Sequence, residues 1–173
     1  MASYNNYEIV SDWFTSENIN DLECKLCVGD RLEFTSHHTD AHWGIYVGQY
    51  QGIRHTVIHC GLLEREVVLA NQKPEIRADT IGRILVSSGK VRINNSSDTD
   101  QTANDSQLIM EIAKKMHLDK TPSDYNLLSE NCEHFANYCR YGAPSIEQAA
   151  SAVGTFWSFL RSVIGKLDLK MSH

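Results

Sequence analysis

The segment that most restricts the fold is a pair of β-strand patterns joined by a short polar loop. The two patterns cover residues 42–48 (HWGIYVG) and 53–59 (IRHTVIH), and both are rich in β-branched and aromatic residues. Between them lie residues 49–52 (QYQG), a loop that ends in glycine. Two such runs with so short a connection predict an antiparallel β-hairpin. Any fold of this chain must therefore accommodate an antiparallel strand pair.

The register of this hairpin decides which side chains meet. If Gly48 pairs with Ile53, His42 lies directly opposite His59, and opposed side chains share a face with Cβ atoms about 5 Å apart. One imidazole could then hydrogen-bond to the other and orient it. A slip by one residue would reverse the faces. Two alternatives stay open: His59 is a satisfied core histidine, or His55, on the same strand face, is the partner.

The remaining patterns predict further strands and an amphipathic helix. Strand-like runs lie at residues 31–34, 66–69, 81–87 and 91–93, and turn signals lie at 29–30, 73–75 and 88–90. In the hairpin, Trp43, Ile45 and Val47 are expected to point into the core, on the face opposite to the histidines. Residues 94–105 are polar and predict an exposed loop, whereas the apolar spacing of 106–117 predicts a helix.

A second helix, over residues 131–140, is predicted by capping residues at its start and by glycine and proline after its end. Cys132 falls in its first turn, where unpaired backbone N–H groups and the positive end of the helix dipole favour a thiolate. This position makes Cys132 a candidate nucleophile. The alternative is a small core residue, because Cys132 shares a helix face with Phe135, Ala136 and Cys139.

Composition narrows the class of protein. The chain has 173 residues, 42% of them hydrophobic, as is typical of one globular domain with a real core. Its formal net charge of -6 argues against a general nucleic-acid binder. Because five cysteines are an odd number and the start of the chain lacks an apolar secretory segment, we expect free thiols in a reducing, cytoplasmic setting. No stretch reaches the ~20 apolar residues that cross a bilayer.

Two groups of residues raise the question of a metal site. Cys24 and Cys27 form a Cys-x-x-Cys pair, but no second pair and no histidines at zinc-finger spacing follow. We interpret them as half-buried thiols that lead into a strand. A polar loop and the following strand contain four further candidates, His37, His38, Asp40 and His42. Their loop and strand context implies no ligand geometry, so neither a metal nor another cofactor is expected.

The two ends of the chain are assigned separately from residues 24–143, which show no internal boundary. Residues 1–23 lack a sustained period and are interpreted as a loosely packed or mobile extension. In the segment 144–173, apolar residues recur at helical spacing over 153–167 and are accompanied by basic residues. This pattern is compatible with a helix in peripheral contact with an intracellular membrane. The alternative is a last helix packed on the domain or on a partner.

Three separated blocks together resemble a known family. They are residues 42–48, a histidine at the end of the next strand, and Asn131-Cys132-Glu133-His134-Phe135, with Gly29-Asp30 before them and Arg140-Tyr141-Gly142 after them. Over roughly residues 28–143 the chain resembles the lecithin retinol acyltransferase-like family, which includes the H-Ras-like suppressor phospholipase/acyltransferases. The resemblance implies an α+β, circularly permuted papain-like fold, in which an antiparallel β-sheet packs against a helix that carries the nucleophilic cysteine.

The resemblance also implies a role for each candidate site residue. Cys132 would be the nucleophile, His42 the general base and His59 the residue that orients it. The thiolate would attack an ester of a glycerophospholipid, and the acyl group would pass from the thioester to water, an amine or an alcohol. Two other functions stay open: a non-catalytic interaction module that keeps the fold, and a thiol peptidase or amidase. The oligomeric state is left open.

Overall fold

Five antiparallel strands form the sheet of the described chain, in the order β4-β3-β2-β1-β5. The computed structural model describes residues 8–36, 39–61, 75–85, 89–120 and 128–142, without the side chains of 39, 40 and 128–131. The strands are β1 Arg31–Ser36, β2 Thr39–Tyr50, β3 Ile53–Gly61, β4 Glu75–Thr80 and β5 Lys90–Ile93. The helices are α1 Ile19–Glu23, α2 Ile81–Ile84, α3 Ser106–Leu118 and α4 Leu128–Tyr141, and a 3-10 helix spans Ser96–Thr99. The predicted α+β class is confirmed.

The central hairpin has a tighter turn than the sequence predicts. Because β2 runs to Tyr50 and β3 starts at Ile53, the turn consists of Gln51 and Gly52 alone. Both have positive φ, 49° and 79°, as a type I′ turn requires. The backbone twist of such a turn matches the right-handed twist of the strands. Tyr50 pairs with Ile53 beside the turn, and the pairing of β2 with β3 is irregular on either side of Gly48.

The register differs from the predicted one by two residues. Gly44, and not His42, lies opposite His59, because β2 extends two residues further into the turn than expected. The predicted pairing of Gly48 with Ile53 is therefore wrong. Side chains alternate between faces with a period of two, so this shift leaves His42 and His59 on the same face. The two histidines become diagonal neighbours and not direct partners.

One face of the sheet is covered by the N-terminal segment and α2. Leu32, Phe34 and Val57 pack there with Phe14 and with Leu22 of α1. The backbones of Phe14 and Val91 also exchange two hydrogen bonds of 2.8 Å. The described part of the N-terminal extension is therefore packed on the sheet, where the sequence suggested loose attachment, and the boundary before residue 24 stays a prediction.

The opposite face of the sheet carries α4. Trp43, Ile45 and Val47 are at most 8% exposed, so their predicted place in the core is confirmed. Arg31 on β1 links this face to the helix, because its guanidinium carbon lies 4.4 Å from the centroid of the Trp43 ring and 5.7 Å from that of Tyr141. The sheet is thus enclosed on both faces.

Residues 81–84 form a helix and not the predicted strand. Thr80 caps this helix, since its Oγ1 accepts a hydrogen bond of 3.2 Å from the Arg83 N–H. Ile81 and Ile84 are buried, and their spacing of three places them on one helical face. Local capping and this short apolar spacing prevail over the β-branched composition that favoured a strand.

The polar segment 94–105 is less exposed than predicted. Asn95 is completely buried, and its side chain accepts a hydrogen bond of 3.0 Å from the Arg31 N–H and donates one of 2.9 Å to Asp30 Oδ1. Asn95 therefore satisfies polar groups at the start of β1 that would otherwise be buried without partners.

The other predicted elements have mixed outcomes. Strands β1 and β5 and helix α3 are confirmed, and α3 is capped by Asp105, which accepts from the Gln107 N–H at 2.9 Å. The predicted strand at 66–69 lies outside the described residues.

Candidate active site

Two imidazoles form the centre of the candidate site. His42 Nε2 and His59 Nδ1 lie 2.8 Å apart, and the two rings are nearly perpendicular, with an interplanar angle of 87°. His59 is buried and His42 half-buried. The diagonal placement in β2 and β3 therefore brings the predicted pair into contact although the predicted register is wrong.

The alternative partner, His55, is engaged elsewhere. Its Nδ1 lies 3.0 Å from the Tyr46 hydroxyl, and its Nε2 lies 3.7 Å from Glu23 Oε2. His55 also has a positive φ of 52°, next to an irregularity in the pairing of β2 and β3. Hence the partner of His42 in this pair of strands is His59.

Glycine provides the room for the imidazole pair. A Cβ atom on Gly61 would lie 3.0 Å from His59 Nδ1 and 3.5 Å from His42 Cε1. A Cβ atom on Gly44 would lie 3.2 Å from His59 Cβ and 2.4 Å from a methyl group of Val57. Both glycines therefore permit a close approach that any side chain would obstruct.

A carboxylate that the sequence analysis missed completes the polar chain. Asp79 Oδ2 on β4 lies 2.9 Å from His59 Nε2 and 3.1 Å from Arg77 Nε, and Asp79 Oδ1 lies 3.4 Å from Arg83 Nε. The hydrogen bond from His59, assisted by the neighbouring positive charges, lowers the pKa of Asp79 to about 2 against the opposing effect of burial. Asp79 is therefore a carboxylate at neutral pH.

Cys132 lies where the sheet meets α4. Its side chain is buried, and its Sγ lies 3.9 Å from the Ala41 carbonyl oxygen and accepts a hydrogen bond from the Trp43 N–H. Ala41 and Trp43 are the residues on either side of His42. The structure thus brings the predicted cysteine to the backbone of the predicted histidine, about ninety positions earlier in the chain.

The predicted activation of this thiol by the start of its helix is wrong. Since α4 begins at Leu128, Cys132 is its fifth residue and lies beyond the first turn, where the dipole effect is concentrated. Burial raises the pKa of Cys132, and the N–H groups of Trp43, Glu133 and Cys132 itself only partly oppose this rise. The resting side chain is therefore a neutral thiol.

A buried arginine fixes α4 on the sheet. Arg140 Nε and Nη2 donate to the two carboxylate oxygens of Asp98 at 2.9 Å and 2.6 Å, and Nη1 donates to the Gly29 carbonyl oxygen at 2.8 Å. The Tyr141 hydroxyl also donates to Asp98, at 2.7 Å. Two of the outer sequence blocks of the resemblance, at residues 29–30 and 140–142, are thus in direct contact.

The candidate metal ligands show no convergence. Within the described ranges, no three His, Cys, Asp or Glu side chains are arranged to hold a metal ion. Cys24 and Cys27 are free thiols, and both are exposed, so their predicted half-burial is wrong. His37 and His38 and the side chain of Asp40 lie outside the described residues. In the same part of the chain, no helix is long and apolar enough to span a membrane.

Fold and site together define a class: an α+β protein of papain-like type, in which a helix with a buried cysteine packs against an antiparallel sheet with histidines. The histidines precede the cysteine in the chain, which is the permuted order. A sequence profile of lecithin retinol acyltransferase matches residues 24–145, and the chain belongs to this family.

Individual relatives agree with this assignment. The chain is 31% identical over 135 residues to phospholipase A and acyltransferase 2 of Homo sapiens. The matched residues make up 74% of this chain and 78% of that protein. It is 30% identical over 123 residues to phospholipase A and acyltransferase 3 of Mus musculus, over 65% of this chain and 69% of the relative. For lecithin retinol acyltransferase of Rattus norvegicus the identity is 28% over 133 residues, which are 70% of this chain but 57% of the relative.

Acid should weaken the fold through Asp79. Its folded-state pKa of about 2 lies below the ordinary 3.8, so its stabilising contribution is present above pH ~4 and is lost as the pH falls through about 2. For this buried side chain the shift corresponds to about 2 kcal/mol. In urea unfolding from about pH 6 to pH 2, the free-energy difference between wild type and Asp79→Asn should shrink by that amount. The exposed Asp100→Asn serves as control, and a pH-independent difference for Asp79→Asn would contradict the expectation.

Adding a methyl group at Gly61 should separate the two imidazoles. Gly61→Ala places a Cβ atom 3.0 Å from His59 Nδ1, a distance at which the ring must move and lengthen its hydrogen bond to His42. The measurement is the NMR signal of the proton shared by the two rings, which should weaken or shift upfield. Gly82→Ala is the matched control, because no atom lies within 4 Å of its Cβ position. An unchanged signal in Gly61→Ala would show that the site tolerates the added group.

Proposed function

We propose that this chain transfers or hydrolyses acyl groups of glycerophospholipids through a thioester on Cys132, with His42 as general base and His59 as the residue that orients it. The observation that carries the proposal is the position of the Cys132 sulfur, between the Ala41 carbonyl oxygen and the Trp43 N–H. These groups flank His42, whose ring is held by His59 at 2.8 Å.

The substrate class is supported by the family. Its members similar to this chain are named phospholipase A and acyltransferase, or lecithin retinol acyltransferase. These names describe enzymes that take an acyl group from a phospholipid ester. A thiol beside an imidazole is suited to that reaction, because the thiolate attacks the ester carbonyl and conserves the acyl group as a reactive thioester. The same chemistry needs no metal ion or organic cofactor.

Proton removal must accompany the attack. Because burial raises the pKa of the Cys132 thiol, little thiolate exists beforehand at neutral pH. His42 takes the thiol proton as the sulfur approaches the ester carbonyl carbon. The N–H groups of Trp43 and Glu133, which already point at the sulfur, lower the free energy of the developing thiolate.

The acyl group is then transferred in two balanced steps. The first tetrahedral intermediate breaks the ester C–O bond, and the departing lysophospholipid alkoxide takes the proton from His42, which leaves a thioester on Cys132. In the second step, water or another acceptor loses a proton to His42 and attacks the thioester carbonyl. The C–S bond breaks, and His42 returns the proton to the sulfur.

Removal of the nucleophile should abolish lipid turnover. The purified full chain is incubated with phosphatidylcholine vesicles without added metal, and fatty acid release and acyl transfer are measured by mass spectrometry. Cys132→Ala should lose all activity, because no thioester can form, and His42→Ala should lose at least about 10²-fold in kcat, the usual effect of removing a general base. Intact-mass detection of an acyl adduct identifies the nucleophile directly.

A matched cysteine variant controls for structural damage. Cys139 is buried on the same helix and makes up part of its apolar face, so Cys139→Ser perturbs packing without touching the proposed chemistry. If Cys132→Ala retains full turnover, the mechanism is wrong. If the wild-type chain forms no adduct and leaves lipids intact, the chain is a non-catalytic module or acts on peptides, and peptide cleavage distinguishes these two.

Peripheral membrane contact through residues 153–167 is part of the same proposal. This segment lies outside the described residues, and its sequence places Phe156 and Trp157 among apolar residues at helical spacing. In vesicle sedimentation with the full chain, Phe156→Ser combined with Trp157→Ser should weaken binding at least about 10-fold, since burying each aromatic side chain contributes about 1.5–3 kcal/mol. Leu118→Ser, at an exposed position on α3, is the control. Equal binding of both variants would count against membrane contact.

A further inference from the structure

We propose that Asp79 is a positioning residue of this site: its carboxylate sets the protonation pattern of His59 and His42, and thereby leaves Nδ1 of His42 as the atom that receives the Cys132 proton. The inference rests on the function proposed above, and it adds to that function a residue that the sequence pattern does not indicate. It follows from the order of donors and acceptors along one chain of hydrogen bonds.

The chain of hydrogen bonds starts at Asp79. Asp79 Oδ2 and His59 Nε2 are 2.9 Å apart, and both side chains are at most 7% exposed. A carboxylate offers only acceptor lone pairs, so the hydrogen between these two atoms belongs to His59 Nε2. In a neutral imidazole the other nitrogen then carries no hydrogen, so His59 Nδ1 is an acceptor.

The same reasoning assigns the protons of His42. The 2.8 Å contact between His59 Nδ1 and His42 Nε2 contains one hydrogen, and since His59 Nδ1 is the acceptor, this hydrogen belongs to His42 Nε2. Nδ1 of neutral His42 is consequently unprotonated. A general base must present an unprotonated nitrogen to the thiol. The Asp79 carboxylate, which acts on His42 through His59, therefore decides whether His42 Nδ1 can accept the thiol proton.

The surroundings of Asp79 keep it ionised. The charged and titratable groups that act on it are His59 from β3, Arg77 from its own strand, Arg83 from α2 and His117 from α3. The two arginines neutralise the carboxylate without competing for His59 Nε2. The pKa of Asp79, lowered to about 2, agrees with this arrangement.

An amide at position 79 should reverse the direction of the hydrogen bonds that link residue 79, His59 and His42. Asp79→Asn can turn its NH₂ group towards His59 Nε2 as a donor, and His59 would then carry its hydrogen on Nδ1 and donate it to His42 Nε2. His42 would become protonated on Nδ1 and could no longer accept the thiol proton. The equivalent amide substitution in the Ser-His-Asp triad leaves the geometry intact, produces the wrong tautomer and lowers kcat about 10⁴-fold.

The first test is independent of lipid turnover. The ¹⁵N NMR shifts of the imidazole nitrogens report which nitrogen of His59 and of His42 carries hydrogen. Wild type should show His59 protonated on Nε2 and bare on Nδ1, and Asp79→Asn should show the reverse. Asp79→Glu, which restores a carboxylate, should keep the wild-type pattern. A wild-type spectrum with His59 protonated on Nδ1 overturns the proposal by itself, even if no variant folds.

The second test compares turnover with a matched control. Asp79→Asn should lower kcat by roughly 10²–10⁴-fold with KM nearly unchanged, because the substrate does not touch Asp79. Glu33→Gln is the control: Glu33 is another carboxylate in the sheet, paired with Arg92 at 2.7 Å and hydrogen-bonded by Asn94, and it faces away from the histidines. Its variant should keep wild-type kcat.

The outcomes separate this inference from the proposed function. A wild-type chain that turns over lipid while Asp79→Asn matches Glu33→Gln in kcat overturns the role of Asp79 alone. If the wild-type protein shows the expected histidine tautomers and Asp79→Asn reverses them, but the wild type turns over no lipid, the positioning role of Asp79 is supported. The same result counts against the function proposed above.

Discussion

The contact on which the rest of the site depends is the buried anchor of Arg140. This side chain, 6% exposed, spans from α4 to Asp98 and to the Gly29 carbonyl oxygen, and so holds the helix against the turn that precedes β1. Removing one partner of such a pair costs about 3–5 kcal/mol, because the other charge is left buried. The distance between the Cys132 sulfur and the backbone around His42 therefore depends on an interaction at the far end of the helix.

The sheet contributes a diagonal line of polar side chains. His42, His59 and Asp79 lie on three adjacent strands, and each is two residues out of register with the next: His59 is opposite Gly44, and Asp79 is opposite Val57. Diagonal neighbours on one face are separated by about 7–8 Å between backbones, a gap that an imidazole spans. The step of two residues lets each ring reach the next group end to end and form a continuous chain of hydrogen bonds.

The surroundings of Cys132 show why the burial of a thiol and its position in a helix must be considered together. A cysteine in the first turn of a helix would carry a thiolate without help, whereas Cys132 lies deeper in α4 and its burial raises its pKa. The N–H groups of Trp43, Glu133 and Cys132 partly oppose this rise.

Local patterns in the sequence determined the hairpin, the amphipathic α3, the existence of a cysteine-bearing helix and the pairing of two histidines on one face, since each depends on periodicity and capping within a few residues. Tertiary structure alone decided the register, the start of α4, the burial that raises the pKa of Cys132, and the recruitment of Asp79. These features arise from contacts between segments far apart in the chain. The predicted register and the observed one differ by two residues, so both give the same alternation of side chains between the two faces. The sequence around Asp79 likewise does not show which histidine its side chain contacts. Packing supplies this information, because only the assembled sheet fixes which diagonal neighbours exist.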